Sequence, residues 1–171
     1  MGRDDGALPA LPRARLTIVD RLTDGPRPQA LGRSVRKTGG MATSVNRWVG
    51  VAIDCPDAGP VARFYEALLG FEVGDFSPPG WAQLWDPAGG VHLNIQGDPN
   101  YVAPTWPEQP GEQAKMLHFE VEVDDLEAAL ATALAAGGTE APWQPPDRDQ
   151  RRIRIVLDPA GHPLCLFLRG E

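Results

Sequence analysis

Cysteine is nearly absent: Cys55 and Cys165 are the only two in 171 residues, and neither belongs to a Cys-x-x-Cys motif. That excludes a disulfide framework and suits a reducing compartment, so the chain reads as cytoplasmic. No stretch approaches the roughly 18 apolar residues that a membrane span requires, and the first forty residues hold no apolar run of signal-peptide length. A membrane partner is therefore not expected. A basic stripe interleaved with aromatic residues, the footprint of nucleic-acid binding, is also missing. The formal net charge of -7 hides an asymmetry, because residues 1–40 carry eight Lys/Arg and four Asp/Glu whereas residues 41–171 carry eight and nineteen. A body that acidic repels phosphate backbones, which argues against nucleic acid as a partner.

What is present is enough for one globular domain. With 42% hydrophobic residues and 23% charged residues, the chain can bury about two-thirds of its unfolded surface. Residues 1–44, rich in Arg, Pro and Gly, are expected to be a disordered basic tail, since so polar a segment gains too little by ordering. Met41 stands just before the first convincing strand, so a translation start placed too far upstream is the other reading of this segment.

Residues 45–171 contain an internal repeat. In unit one (47–96), Trp48 to Asp54 reads as a strand. Asp57 then caps a helix whose apolar positions Val61, Phe64, Tyr65, Leu68 and Leu69 fall on one face, and Gly70 ends it. Three short strands follow, at Phe71 to Phe76, Trp81 to Trp85 and Val91 to Gln96. After a Pro/Gly-rich linker (97–114), unit two (115–169) repeats the order. It has a strand at Met116 to Val123, a capping-box variant at Asp124-Asp125-Leu126-Glu127, and a helix carrying Leu126, Ala129, Leu130, Ala133 and Leu134. Gly137-Gly138 stop that helix, and strands near Thr139 to Trp143, Ile153 to Leu157 and Leu164 to Leu168 complete the unit. Two landmarks set the register. Gly50 and Asp57 recur 68 residues later as His118 and Asp125, and Asp86-Pro-Ala-Gly89 recurs verbatim as Asp158-Pro-Ala-Gly161. The expected architecture is α+β: two tandem βαβββ units, helices outside, forming a curved mixed sheet around a shared cavity.

The string from Asp57 through Phe64-Tyr65 to Gly70-Phe71, the strand Leu117-His118-Phe119 running into Asp124-Asp125, and the closing Asp158-Pro-Ala-Gly-His162-Pro-Leu-Cys165 resemble the vicinal-oxygen-chelate superfamily. The nearest match is its glyoxalase-like branch, with the glyoxalase/bleomycin-resistance/dioxygenase fold. The resemblance implies that each unit supplies a His from its first strand and a Glu or Gln from its last, four ligands for a divalent metal. Carried over, the first His position is Gly50, which has no donor atom, and the second is His118. The last-strand positions are Asn94 or Gln96 in unit one and Cys165 in unit two. A Lewis-acid site needs about three strong protein ligands. One histidine, an amide and a thiol do not supply them, so the expectation is no metal cofactor. Cys165 reads most simply as a small buried hydrophobe.

In Trp81-Ala-Gln-Leu-Trp85 the alternation puts Trp81, Gln83 and Trp85 on one face and leaves Ala82 and Leu84 to lie beneath a helix. On the next strand His92, Asn94 and Gln96 share a face. Aromatic walls with a few polar groups suit a planar organic ligand, and Trp81, Gln83, Trp85, Asn94, Gln96, His118 and Cys165 are the candidate ligand-binding residues. The same rings could equally fill a core or a subunit contact. Glu120 and Glu122 alternate onto the face of His118, as a carboxylate base would, or as a solvated strand end. Three readings stand: a metal-independent small-molecule binding protein; a lyase, isomerase or dioxygenase using a reduced metal site or none; and a degenerate domain whose role is association. The resemblance also implies a homodimer, because such units commonly complete their barrels within a chain or across two.

Overall fold

The computed structural model of the chain describes residues 50–169; the tail expected at 1–44 lies outside them. The elements are β1 (Gly50–Cys55), α1 (Ala58–Leu69), β2 (Glu72–Ser77), β3 (Trp81–Trp85), β4 (His92–Gly97), β5 (Phe119–Val123), α2 (Leu126–Ala135), β6 (Thr139–Glu140), β7 (Ile153–Leu157) and β8 (Pro163–Leu168). They form two four-stranded sheets of the same topology, β1-β4-β3-β2 and β5-β8-β7-β6. In each, the first and last strands of the unit run parallel and the other pairs are antiparallel.

The local chemistry explains both helices. The Asp57 carboxylate accepts a hydrogen bond from Gly59 N at 2.9 Å, and Pro60 sits in the first turn, where a missing N–H costs nothing. At the other end Gly70 adopts φ 67° and donates to Glu66 O at 3.0 Å, a left-handed closure that glycine makes without a side-chain penalty. Asp125 caps α2 by accepting from Ala128 N at 3.0 Å. The expected capping box is only half realised. A reciprocal arm belongs at the third helical residue, which is Ala128, and Glu127 instead lies 3.6 Å from Arg154 on β7.

One face of each sheet is apolar and lies under a helix. Ile53, Cys55, Ala82, Leu84, Leu93 and Ile95 are buried with Val61, Phe64 and Tyr65 of α1, while Val156, Leu164 and Leu166 are buried with Leu126 and Leu130 of α2. The two layers share one continuous core. Two strands are shorter than the sequence pattern suggested: β6 ends at Glu140, and β5 starts only at Phe119. Met116 has φ 59° and is 87% exposed, a backbone turn that keeps it and Leu117 out of the ladder.

Each unit forms its own four-stranded sheet, as the repeat implied: among the described residues, no strand of one sheet is hydrogen-bonded to a strand of the other. The units meet instead through α1. The Tyr65 ring meets Phe119 edge-on at 5.5 Å. A Cβ on Gly138 would come within 2.6 Å of Phe64 Cε2, so only glycine allows this approach. Tyr65 OH donates to Asp158 Oδ2 at 3.1 Å. Asp158 is buried, and its carboxylate also accepts from Ala160 N and His162 N, each at 2.9 Å, with His162 Nδ1 at 2.8 Å. The far side of that ring, Nε2, lies 3.1 Å from the hydroxyl of Tyr101 in the linker, which donates to Ala160 O at 2.9 Å. The matching turn in unit one shares the backbone contacts, with Asp86 accepting from Ala88 N and Gly90 N, but a glycine stands where unit two has His162.

Replacing Tyr65 by Phe keeps the aromatic packing and removes one donor from a buried carboxylate. The expected cost is about 1–3 kcal/mol, read as a lower urea midpoint with unchanged slope. An unchanged midpoint would show that the hydroxyl does not tie the units together.

Candidate functional site

The face of sheet one turned away from α1 is where the sequence-derived candidates gather. Strand register pairs Ala52 with Asn94 and Gln83 with Asn94, and it pairs Asp54 with Gln96 and Trp81 with Gln96. Residues paired across strands share a face, so Trp81, Gln83, Asn94 and Gln96 form one surface with the small β1 residues Gly50 and Ala52 at its margin. Trp85 joins them, its ring edge-on to His92 at a centroid distance of 4.5 Å. Trp85 has room because a side chain at Gly74 on the neighbouring strand would collide with indole Nε1. β2 and β3 slip in register between Val73 and Phe76. Both tryptophans are half-buried and Asn94 is buried. Gln83 Nε2 donates to Asn94 Oδ1 at 3.1 Å, which fixes both amides and leaves the other half of each for a ligand. Trp81 and Trp85 are four residues apart on one strand, about 13 Å between their Cα atoms.

His118 and Cys165 belong to the other sheet. His118 immediately precedes β5, and its Nε2 lies 3.6 Å from Glu120 Oε1; Glu120 is paired across the ladder with Cys165. These three share the outer face of sheet two, as the alternation of residues 118, 120 and 122 predicted. The candidates thus fall into two groups, five on one sheet and two on the other.

The periodicity argument missed an aromatic pair in the loops. Trp106 and Trp143 meet edge-on at 5.8 Å, Trp106 Nε1 donates to Trp143 O at 3.0 Å, and Lys115 Nζ lies 5.4 Å from the Trp106 ring while paired with Glu108 at 2.8 Å. Gln144 anchors the Trp143 segment by bonding both Ile155 N and Ile155 O at 2.8 Å. Proline-rich loops carry no period, so nothing in the residue pattern signalled this contact. A groove of about 310 Å³ runs between β1 and the linker, lined by Asp54, Asp98, Tyr101, Lys115, Met116 and His162 among others.

The donor set does not fit a chelated divalent ion. Gly50 has no ligating atom, the Asn94 carbonyl oxygen is taken by Gln83, and His118 and Cys165 stand on the other sheet from Asn94 and Gln96. Among the described residues no three His, Cys, Asp or Glu side chains converge as ligands. Burial, then the negative charge of Glu120, raises the pKa of Cys165, which disfavours the thiolate that a metal or a nucleophilic role requires.

A family model for the glyoxalase-like domain matches residues 50–167, more than half of the chain. The chain belongs to that family. Solved structures repeat the fold at low identity. The glyoxalase family protein from Enterococcus faecalis is 24% identical with a TM-score of 0.50, over 71% of this chain and 98% of that one. A hypothetical protein from S. aureus is 16% identical at 0.50, over 74% and 96%. Protein ATC0852 from Agrobacterium tumefaciens is 17% identical at 0.50, over 71% and 96%. No curated protein matches. Membership of the glyoxalase-like family, with its glyoxalase/bleomycin-resistance fold, is thereby shown; the reaction or ligand has to be argued from this chain's own residues. No helix among the described residues is long and apolar enough to cross a membrane.

Both thiols should be sluggish at neutral pH. Cys55 is pushed up to about 12 by burial and by Asp158, and Cys165 is raised by burial and by Glu120. Titration with Ellman's reagent is expected to modify Cys165 slowly and Cys55 only after denaturation, with Cys165 gaining speed as pH rises. A native thiol reacting at the rate of a free cysteine at pH 7 would contradict this electrostatic environment.

Proposed function

We propose that this glyoxalase-like protein binds a small planar organic molecule without a metal. The observation that carries the reading is that two half-buried indoles share one face of a sheet, the face turned away from α1, with the amides of Gln83, Asn94 and Gln96. Indole faces supply flat apolar area, and the amides orient a ligand through directional hydrogen bonds. Contact with roughly 150–250 Å² of aromatic surface contributes several kcal/mol before association entropy is subtracted, enough for micromolar affinity. His118, Glu120 and Cys165 form a second polar patch, and we assign them ligand contact rather than chemistry. A metal-assisted lyase, isomerase or dioxygenase activity would need the strong donors that positions 50, 94 and 165 lack.

Binding should quench tryptophan fluorescence, and the quenching should survive dialysis against a chelator. Trp85→Ala is expected to weaken it by about 1–3 kcal/mol, the cost of one hot-spot contact, with the circular dichroism spectrum retained. If a screen of planar compounds gives no quenching, or if the effect vanishes with the metal, the proposal fails.

We further propose that the protein is a cytoplasmic homodimer. The outer strands β1 and β2 of one sheet, and β5 and β6 of the other, have no strand partner on their outer side among the described residues, and unpaired strand edges invite a self-complementary contact. Light scattering at tens of micromolar protein should give twice the chain mass; the mass of one chain rejects the dimer.

A further inference from the structure

The linker between the units is tied down at its start, where Asp98 N donates to Cys55 O at 2.8 Å and Tyr101 OH to Ala160 O at 2.9 Å. Beyond Tyr101 it bonds mainly to itself: Thr105 N donates to Gln113 O at 2.9 Å, Glu112 N to Gln109 O at 3.2 Å, and Lys115 pairs with Glu108 at 2.8 Å. Among the described residues, the hydrogen bond that carries residues 102–117 to the body is the one from Trp106 Nε1 to Trp143 O, beside the edge-on contact of the two indoles. Residues 108–114 are exposed. At the far end Met116, at φ 59°, sits in a tight turn closed by Leu117 N on Lys115 O at 2.6 Å. A left-handed backbone is costly for a residue with a side chain, and at 87% exposure no packing of that side chain holds Met116 there.

Glu120, Cys165 and Ile155 are paired in one row across sheet two. Leu164 and Leu166, which alternate with Cys165, are buried with α2, so the row lies on the opposite face. His118 stands at the Glu120 end, 3.6 Å from its carboxylate, and Gln144 bonds the backbone of Ile155 at the other. The linker reaches both ends. Lys115 is three residues before His118 in the chain, and Trp106 meets Trp143, the neighbour of Gln144. β5 and β7 are about 10 Å apart, and the segment bridges that width with Lys115 Nζ 5.4 Å from the Trp106 ring. Burial and Glu120 push the Cys165 thiol up while Arg148 and Lys115 pull against them, which places cations from both loops around that thiol.

We infer that residues 102–117 form a lid over the Glu120, Cys165 and Ile155 row, hinged at Met116 and latched by Trp106 on Trp143. Release of the latch opens His118 and Cys165 to molecules that the closed linker keeps out. The consequence for a ligand rests on the ligand contact proposed for those residues; the lid itself does not, and it is tested without a ligand.

The full chain is alkylated at one pH with two uncharged thiol reagents, iodoacetamide and the bulkier pyrenyl maleimide, and the adducts are located by mass spectrometry. A raised thiol pKa slows both reagents alike, because both attack the thiolate, whereas a lid slows the larger one more. Relative to their rates with glutathione, Cys165 of the native protein should therefore lag further with the maleimide. Trp106→Ala removes both latch contacts and should raise the maleimide rate at Cys165 by about tenfold, the combined effect of one hydrogen bond and one aromatic pair. Trp106→Phe keeps a ring, loses the donor and should give a smaller rise. Cys55 is buried in the core and reports on the fold: an adduct there means that the variant has unfolded, and the Trp106→Phe rate then decides. Equal lag for both reagents in the native protein, or Cys165 rates that neither substitution changes while Cys55 stays protected, would overturn the lid and leave planar-ligand binding at Trp81 and Trp85 standing.

Discussion

A carboxylate taken out of water must find its hydrogen bonds inside the protein, and Asp158 is the point on which the two halves of this molecule depend. Four donors converge on it: two backbone amides of its own turn, the His162 ring and the Tyr65 hydroxyl from α1 of the other unit. Because the side chain of Asp158 is fully buried, losing any donor leaves part of its desolvation cost uncompensated. The carboxylate has the same effect on its surroundings, raising the pKa values of Tyr65, Tyr101 and Cys55 beyond what burial alone does. Those groups are thereby held in their neutral, hydrogen-bond-donating forms. One buried charge joins helix, linker and turn.

The contact has a consequence for the site. With α1 of unit one locked against unit two, each helix covers the inner face of its own sheet and closes one shared core, while no helix of the described residues spans the outer faces. The outer face of sheet one keeps the tryptophans and amides; that of sheet two keeps His118, Glu120 and Cys165. A metal centre of the type the family resemblance implies would need donors from both. Here the unit-one contribution has been replaced by Gly50 and by an amide bonded to its neighbour. What that face carries is flat apolar area and fixed amides, which are weak donors for Lewis-acid chemistry.

The pattern of residues carried much of this architecture. Asp57 and Asp125 cap their helices as their spacing predicted, Gly70 closes α1 in the left-handed region, and the alternation in residues 81–85 correctly divides Ala82 and Leu84 from Trp81, Gln83 and Trp85. Such features depend on backbone geometry over a few residues, so they are legible locally. Where the pattern failed, a longer-range contact decided the outcome. Glu127 turned to Arg154 instead of closing a capping box, β5 began after the turn at Met116, and the Trp106–Trp143 pair formed between two loops without period.

Sequence by itself determined the two βαβββ units, the faces of their strands and the depletion of metal donors, because each follows from residue type and spacing along a single segment. Tertiary structure alone decided that Tyr65, His162 and Tyr101 gather around Asp158 and that Trp106 meets Trp143. These are pairings between residues far apart in the chain. The packing of one helix against a distant turn and of one loop against another set them, and neither leaves a local period to be read.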